Sequence, residues 1–257
     1  MPDSTTMPPT LFPRDWPRAW RALKILIADS DRTDQVFEII DGLAGDSLEN
    51  SYQRFIADPE GQRLLRERPS LLAALSDRAA LAAMPAGSFG RAYLDCMEKG
   101  SLTADGLVEA DEVAAKNLDK PPLADPDREF VGDRMRDMHD LWHVLTGYGM
   151  DEAGETANLA FSHAQIPNLG MGLIVGAGAV IGPKDLKFTW PRYLVAAWQR
   201  GRATSFLGVA PYEDLLPQPL EEVRAGLGIP PAEHVHPMGI AIATRDACGE
   251  DGVQWVS

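Results

Sequence analysis

The sequence has few of the residues that mark secreted or nucleic-acid-binding proteins. Its two cysteines, Cys96 and Cys248, lie far apart and form neither a CxxC motif nor a disulfide-rich pattern. Lys and Arg number only 24 against 38 Asp and Glu, and the formal net charge is −14. Such a balance excludes the basic surface that nucleic acid requires. We therefore expect no nucleic-acid partner and a cytoplasmic location.

The sequence also has no apolar run long enough to span a membrane. Its most apolar stretch, residues 168–183, has about 15 apolar or small residues, whereas a spanning helix needs roughly 20. The same stretch contains no G-x-G-x-x-G and is not followed by Gly-Lys-Ser/Thr, so it does not predict a nucleotide loop. Residues 1–15 are proline-rich and lack an apolar core region, which predicts a flexible tail and not a signal peptide.

Helical signals recur along the rest of the chain. Asp15 followed by Pro17 predicts a helix start, and Asp125 with Pro126 predicts the start of a long helix further along the chain. The sequence shows no alternating run of strand length, which favours an all-α class. We predict one helical domain over residues 16–230, followed by a C-terminal tail over residues 231–257.

The first of these helices has apolar residues at helical spacing. We interpret them as a stripe that faces the core. They are Trp16, Trp20, Leu23 and Ile27.

The most informative stretch holds two histidines and two carboxylates. His139 and His143 are an i, i+4 pair, and each residue of a helix advances about 100°, so Asp140 shares their arc. Glu155 comes from the next helix, for which Asp151 is a predicted N-cap. Nitrogen and oxygen donors on paired helices predict a site for zinc, iron, manganese or cobalt, with zinc as the first choice.

Two other metal motifs do not fit. A zincin has glutamate after its first histidine, whereas this chain has Asp140 at that position. An HD-type phosphohydrolase needs a further histidine upstream of its His-Asp pair, and this sequence has none before His139. Spacing does not decide whether Asp140 or Glu155 is the direct ligand, and either is a candidate catalytic base. Arg136 lies on the same arc, where it would hold Asp140, meet an anionic substrate group or form a surface ion pair. His163 is either a contact of the site or a hydrogen-bonded core histidine.

The pattern H-D-x-x-H, followed by eleven residues and Glu155, resembles the signature of the coenzyme Q biosynthesis protein 4 family. The resemblance extends to residues 81–93 (LAAMPAGSFGRAY) and 219–229 (PLEEVRAGLGI), and it covers about residues 16–230. It implies a helical protein that binds a divalent metal, accommodates a polyprenylated aromatic lipid and works in ubiquinone biosynthesis. The implied reaction removes the carboxyl group from carbon 1 of the prenylated hydroxybenzoate precursor and hydroxylates that carbon. The metal role transfers to His139, Asp140, His143 and Glu155.

The alternative function is a non-catalytic scaffold that binds prenyl lipid and organises the other ubiquinone-biosynthesis enzymes. Both interpretations predict an apolar lipid cavity, and both admit a homodimer. We place Gly172 and Gly176 in the wall of that cavity, although small residues at this spacing also serve tight helix packing. Trp16, Trp20 and the neighbouring arginines would allow peripheral contact with the inner face of a membrane.

Overall fold

The computed structural model of this chain describes residues 13–30, 32–100, 103–117, 125–182 and 189–230, and two short strands after them. The described residues form the helices α1 (Trp16–Ala28), α2 (Thr33–Gly42), α3 (Ser47–Ala57), α4 (Pro59–Glu67), α5 (Leu71–Ser76), α6 (Arg78–Ala83), α7 (Phe89–Lys99), α8 (Asp105–Asn117), α9 (Pro126–Asp137), α10 (His139–Thr146), α11 (Glu152–Gln165), α12 (Leu169–Ile181), α13 (Thr189–Ala203), α14 (Tyr212–Leu215) and α15 (Leu220–Gly226). A turn of 3-10 helix covers Leu207–Val209. The all-α prediction is confirmed for this part of the chain.

The two strands lie in the region predicted as a C-terminal tail. They are β1 (Ile240–Ile242) and β2 (Val253–Trp255), and they pair antiparallel with Ile240 opposite Trp255. The rest of the predicted C-terminal tail, and residues 1–12 of the predicted N-terminal tail, lie outside the described residues.

Both predicted helix starts are confirmed. The Asp15 carboxylate accepts a hydrogen bond from the backbone N–H of Arg18 at 3.0 Å, and Pro17 lies in the first turn of α1. The Asp125 carboxylate accepts from the N–H of Asp127 at 2.9 Å at the start of α9. These side chains occupy backbone donors that have no partner inside the helix.

The predicted core stripe of α1 is wrong for three of its four residues. Leu23 is buried, but Trp16, Trp20 and Ile27 are about half exposed. The buried arc runs instead through the alanines at positions 19 and 22. The apolar arc of this helix is therefore wider than the arc that the core covers.

Two further helix predictions need correction. The predicted long helix from Asp125 is interrupted at Met138, so Arg136 lies in the last turn of α9 whereas the histidines belong to α10. The stretch between Gly100 and Asp125, which we interpreted as a polar connection, contains the helix α8. It packs along α2, and its Ala114 is fully buried.

The helix α10 runs through the interior of the fold. Every residue from Asp140 to Thr146 is buried, and its apolar side chains belong to the largest core cluster, with residues of α7, α11 and α13. The helix α11 packs mainly against α13 and α12, and α12 also packs against α2. Among the described residues, no helix has the length and apolar character needed to cross a bilayer.

Candidate functional site

The predicted break between the two donor helices is present. Gly147 ends α10 with a positive φ of 78°, a conformation that favours glycine. Asp151 then caps α11 as predicted and accepts hydrogen bonds at 2.9 Å from the N–H groups of Ala153 and Gly154. The short turn between these helices brings the first turn of α11 beside the histidines.

Three of the four predicted donors meet at one point. The Nε2 atoms of His139 and His143 lie 3.3 Å apart. The Oε2 atom of Glu155 lies 3.5 Å from the first and 3.3 Å from the second. His143 is fully buried, whereas the Glu155 side chain keeps 45% of its surface accessible because it lines a cavity.

The size of this triangle fits a single divalent cation. Tetrahedral ligands at about 2.0–2.1 Å from a metal lie roughly 3.3–3.4 Å from one another, close to the observed separations. His143 Nδ1 lies 3.1 Å from the carbonyl oxygen of Tyr148, so its N–H donates there and the Nε2 lone pair faces the triangle. Two imidazoles and one carboxylate form a donor set that suits zinc or a redox-active ion such as iron.

The electrostatics of the triangle favour a cation. Burial disfavours a charged His143, but the charge and hydrogen bond of Glu155 outweigh it and raise the pKa of His143 to about 9. Burial also disfavours an ionised Glu155, yet the two histidines hold the pKa of its carboxyl group well below the usual range. The ionised carboxylate of Glu155 therefore stabilises positive charge at the centre of the triangle.

Asp140 lies beside this triangle and is not part of the cluster of donor atoms. Its side chain is buried and lines the cavity. Burial raises the pKa of Asp140, and the nearby charge of Glu155 acts in the same direction. The charges of the two histidines act in the opposite direction and are outweighed. Of the two candidate carboxylates, only Glu155 belongs to the donor cluster.

Arg136 does not pair with Asp140. Its guanidinium group binds Asp111 at 3.2 Å, Asp133 at 3.0 Å and Asp137 at 2.9 Å. It also lines the cavity. The structure therefore bears out the ion-pair alternative, whereas contact of Arg136 with an anionic substrate group stays a prediction.

A cavity of about 1680 Å³ adjoins the triangle. Most of its wall is apolar, and most of the residues that line it come from α1, α2, α3, α8, α9, α10, α11 and α12. Representative residues are Leu26, Phe37, Ile40, Leu159 and Ile174. The same cavity is bordered by polar groups of the site, which include His139, Asp140 and Glu155.

The two glycines predicted in the cavity wall lie on other faces of α12. A Cβ atom on Gly172 would approach the ring of His163 to 3.3 Å, so this glycine allows α11 and α12 to pack closely. A Cβ atom on Gly176 would meet no atom within 4 Å. The residues of α12 that line the cavity include Met171, Ile174 and Gly178, because a helix turns about 100° per residue and these positions share a different arc.

His163 has the contacts of a core histidine. Its Nδ1 accepts a hydrogen bond from the backbone N–H of Asn168 at 3.4 Å. Burial lowers its pKa. It is not among the residues that line the cavity.

Two arginines that no sequence motif marks hold the C-terminal end of α10. Arg224 donates to the carbonyl oxygens of Val144 at 2.7 Å and Leu145 at 3.0 Å. Arg200 donates to the carbonyl of Thr146 at 3.0 Å and lies over the ring of Tyr148. These carbonyls have no partner within the helix. Both arginines are more than 50 positions from α10 in sequence, so no local pattern could have predicted them.

The fold and the site together define a helical domain with a candidate metal centre between consecutive helices, beside an apolar cavity. The chain belongs to the family described as coenzyme Q (ubiquinone) biosynthesis protein Coq4, whose sequence model matches residues 19–233. The resemblance found in the motif therefore extends over most of the chain.

Curated relatives carry the same description. The chain is 32% identical over 180 residues to the mitochondrial ubiquinone biosynthesis protein COQ4 of Yarrowia lipolytica, a match that covers 69% of this chain and 64% of the relative. A Danio rerio homologue is 33% identical over 178 residues, with 67% and 60% covered. The chain thus spans less than two thirds of these relatives. Their names place them in mitochondria, whereas the sequence led us to expect a cytoplasmic protein.

A solved structure shares the fold. A chain from Nostoc punctiforme, described as a candidate ubiquinone biosynthesis protein, matches with a TM-score of 0.61 over 84% of this chain and 99% of its own length. The two sequences are 22% identical, so this likeness supports the fold.

Proposed function

We propose that this protein acts in ubiquinone biosynthesis on carbon 1 of a polyprenylated hydroxybenzoate. The observation that carries the proposal is the convergence of His139, His143 and Glu155 on one point at the wall of a large apolar cavity. A metal centre beside an apolar cavity suits a substrate with a polar aromatic head and a long hydrocarbon tail. Membership of the Coq4 family supports the same pathway.

Each part of the site has a role in this proposal. His139, His143 and Glu155 would hold the ion, which would polarise the substrate carboxylate or phenolate and, if redox-active, allow chemistry with dioxygen. Asp140 borders the same space and would accept or return the proton. The apolar wall would hold the prenyl tail, because each buried methylene contributes roughly 0.8 kcal/mol.

The overall reaction replaces a carboxyl group by a hydroxyl group. The bond between carbon 1 and the carboxyl carbon breaks, carbon dioxide leaves, and a carbon–oxygen bond forms at carbon 1. This exchange is a two-electron oxidation of the substrate. With dioxygen as the oxidant it balances when water supplies the hydroxyl oxygen, and dioxygen takes up the two electrons and two protons and leaves as hydrogen peroxide.

The test uses the purified protein loaded with zinc, iron or manganese and given a prenylated hydroxybenzoate under air. We expect release of carbon dioxide and appearance of the hydroxylated product. His143→Ala should abolish both, whereas Gly176→Ala, on a helix face away from the cavity, should leave them unchanged. No turnover with any of the three metals would contradict the enzymatic proposal.

The second candidate is a scaffold that binds prenyl lipid and assembles partner enzymes. It is favoured by the position of the donors, since an ion held by His143 of α10 and Glu155 of α11 would also brace the two helices. In cells that lack the endogenous protein, a metal-free variant should then restore quinone synthesis. A variant that binds lipid and partner enzymes but fails to process carbon 1 would favour the enzyme.

A further inference from the structure

The side chain of Tyr148, in the turn between α10 and α11, is held by two residues of α13. Its ring meets the ring of Tyr193 edge-on, with the centroids 6.0 Å apart. The guanidinium carbon of Arg200 lies 4.9 Å from the centroid of the same ring. Tyr193 and Arg200 are seven positions apart in α13, a spacing of about two turns that places both on one helix face. Tyr148 is 1% exposed, so these contacts fix the turn to α13.

The backbone of Tyr148 is the partner of a metal-donor histidine. Its carbonyl oxygen accepts a hydrogen bond from Nδ1 of His143 at 3.1 Å, and this bond leaves Nε2 directed at the other donor atoms. Because His143 is fully buried, solvent cannot replace the carbonyl group as its partner. A movement of the turn would therefore rotate the imidazole ring or leave its N–H without an acceptor.

Arg200 connects this turn to two other parts of the backbone. Its Nη2 donates to the carbonyl oxygens of Thr146 at 3.0 Å and Pro230 at 2.9 Å, and its Nε donates to that of Pro230 at 3.2 Å. A planar guanidinium group can form these bonds and lie over an aromatic ring at the same time, whereas an ammonium group cannot reproduce both. Arg200 thus joins the end of α10, the ring of Tyr148 and the segment after α15.

The helix that carries Arg200 also packs closely on α11, which supplies Glu155. A Cβ atom on Gly201 would lie 2.4 Å from the carbonyl oxygen of Phe161 in α11, so the two helices approach backbone to backbone. The side-chain amide of Gln165 donates to the carbonyl of Gly201 at 2.5 Å. The helix α13 therefore positions α11 directly and α10 through Tyr148, and these two helices carry the three metal donors.

We propose that Arg200 is a positioning residue of the candidate metal centre and acts on His143 through Tyr148. Arg200 is not among the residues that line the cavity, so it contacts neither substrate nor ion. Loss of its guanidinium group would free the ring of Tyr148 and loosen the hydrogen bond that orients His143. Groups that orient metal-bound imidazoles change metal affinity by about 10–100-fold. The inference rests on the metal centre of the proposed function, but metal binding tests it without turnover.

Arg224 provides a matched control at the same end of α10. Each of the two arginines donates to two backbone carbonyl groups, but of the two only Arg200 lies over the ring of Tyr148. Removing either guanidinium group should cost a similar amount of stability, because two carbonyl groups lose a donor in each case. Only the loss of Arg200 should reach His143.

The test compares Arg200→Met with Arg224→Met in the full-length protein. Zinc affinity is measured by competition with a chromophoric chelator, and ligand geometry by the absorption bands of the protein saturated with cobalt. We expect Arg200→Met to lower zinc affinity by about ten-fold or more and to change the cobalt bands. Arg224→Met should bind both metals like the wild type, although the metal-free forms of the two variants unfold at similar urea concentrations. Equal zinc affinities for the two variants would overturn the proposal.

Substitutions of Tyr148 test the same connection without removing the arginine. Tyr148→Leu removes the ring but leaves the bonds of Arg200 to the backbone, so it should lose zinc affinity as Arg200→Met does. Tyr148→Phe keeps the ring and should recover most of that loss. Because both single changes break one connection, the double variant should bind zinc little more weakly than either. Wild-type affinity in Tyr148→Leu would overturn the proposal even if Arg200→Met fails to fold.

Failure of the positioning role can be told apart from failure of the proposed function. Wild-type protein that binds zinc, with equal affinities in Arg200→Met and Arg224→Met, would reject the positioning role alone. Wild-type protein that binds none of the metals would reject the metal centre and both proposals with it. Zinc binding that depends on Arg200, without turnover at carbon 1, would reject the enzymatic proposal and keep the positioning role.

Discussion

Gly154 determines how closely α11 approaches the turn after α10, and replacing it tests the geometry of the candidate metal centre. A Cβ atom at this position would lie 1.9 Å from the carbonyl oxygen of Gly149 and 2.6 Å from its nitrogen. Because carbon and oxygen atoms pack at about 3.4 Å or more, Gly154→Ala requires a shift of roughly 1.5 Å between two segments of backbone. The neighbouring residues are Tyr148, which holds His143, and Glu155.

Such a shift exceeds what a metal site accepts. Ligand distances vary by only about 0.2 Å, and displacement of groups that orient ligands weakens metal binding by about 10–100-fold. We therefore expect Gly154→Ala to lower zinc affinity at least ten-fold. Overpacking of this kind also lowers the free energy of unfolding by about 1–3 kcal/mol, which corresponds to roughly 2–4 °C in melting temperature for each kcal/mol.

The assay is competition with a chromophoric zinc chelator, together with thermal unfolding of the metal-free protein. Gly176→Ala is the matched control, because its Cβ would meet nothing within 4 Å and alanine favours a helix interior by about 0.5–1 kcal/mol. It should bind zinc normally and melt slightly higher. If Gly154→Ala binds zinc as tightly as the wild type, the inferred coupling between this turn and the donors is refuted.

Three other changes test separate parts of the site. Glu155→Gln should weaken zinc binding by at least about ten-fold in the same competition assay, whereas Asp140→Asn should change it far less; equal losses would place both carboxylates on the ion. Arg224→Met leaves two buried carbonyls of α10 without donors and should lower the free energy of unfolding by about 1–3 kcal/mol in urea titrations, with partial recovery in Arg224→Lys. The pKa of His163 is lowered by burial, so on acidification its imidazole is protonated at a higher pH in the unfolded chain than in the folded one. The free energy of unfolding should therefore fall as the pH drops below about 6.5. Unfolding measured from pH 8 to pH 5 should show this loss in the wild type and less of it in His163→Gln, and parallel curves would contradict it.

Local signals predicted the helix starts well. Asp15, Asp125 and Asp151 each cap the helix that the sequence assigned to them, because capping depends on neighbours within three positions. The exposure of Trp16 and Trp20 was not predictable in this way. Periodicity identifies the apolar arc of a helix, but the positions of the neighbouring helices decide how much of that arc is buried.

The metal-donor residues were likewise predictable from the sequence only in part. The i, i+4 spacing of His139 and His143 alone places both imidazoles on one helix face, and the turn of glycines before Asp151 indicates that Glu155 returns toward them. Spacing could not choose between the two carboxylates. In the structure, only Glu155 reaches the two Nε2 atoms, because the choice depends on how α11 packs across α10.

The sequence by itself determined the helical class, the histidine pair, the caps and the family resemblance, since each depends on residues that are near one another or on an ordered motif. Tertiary structure alone decided which face of α12 borders the cavity, how Arg200 and Arg224 hold the end of α10, and how much of Trp16 and Trp20 stays exposed. These features join residues that are far apart in the chain. Their positions follow from the packing of whole helices, which no local pattern encodes.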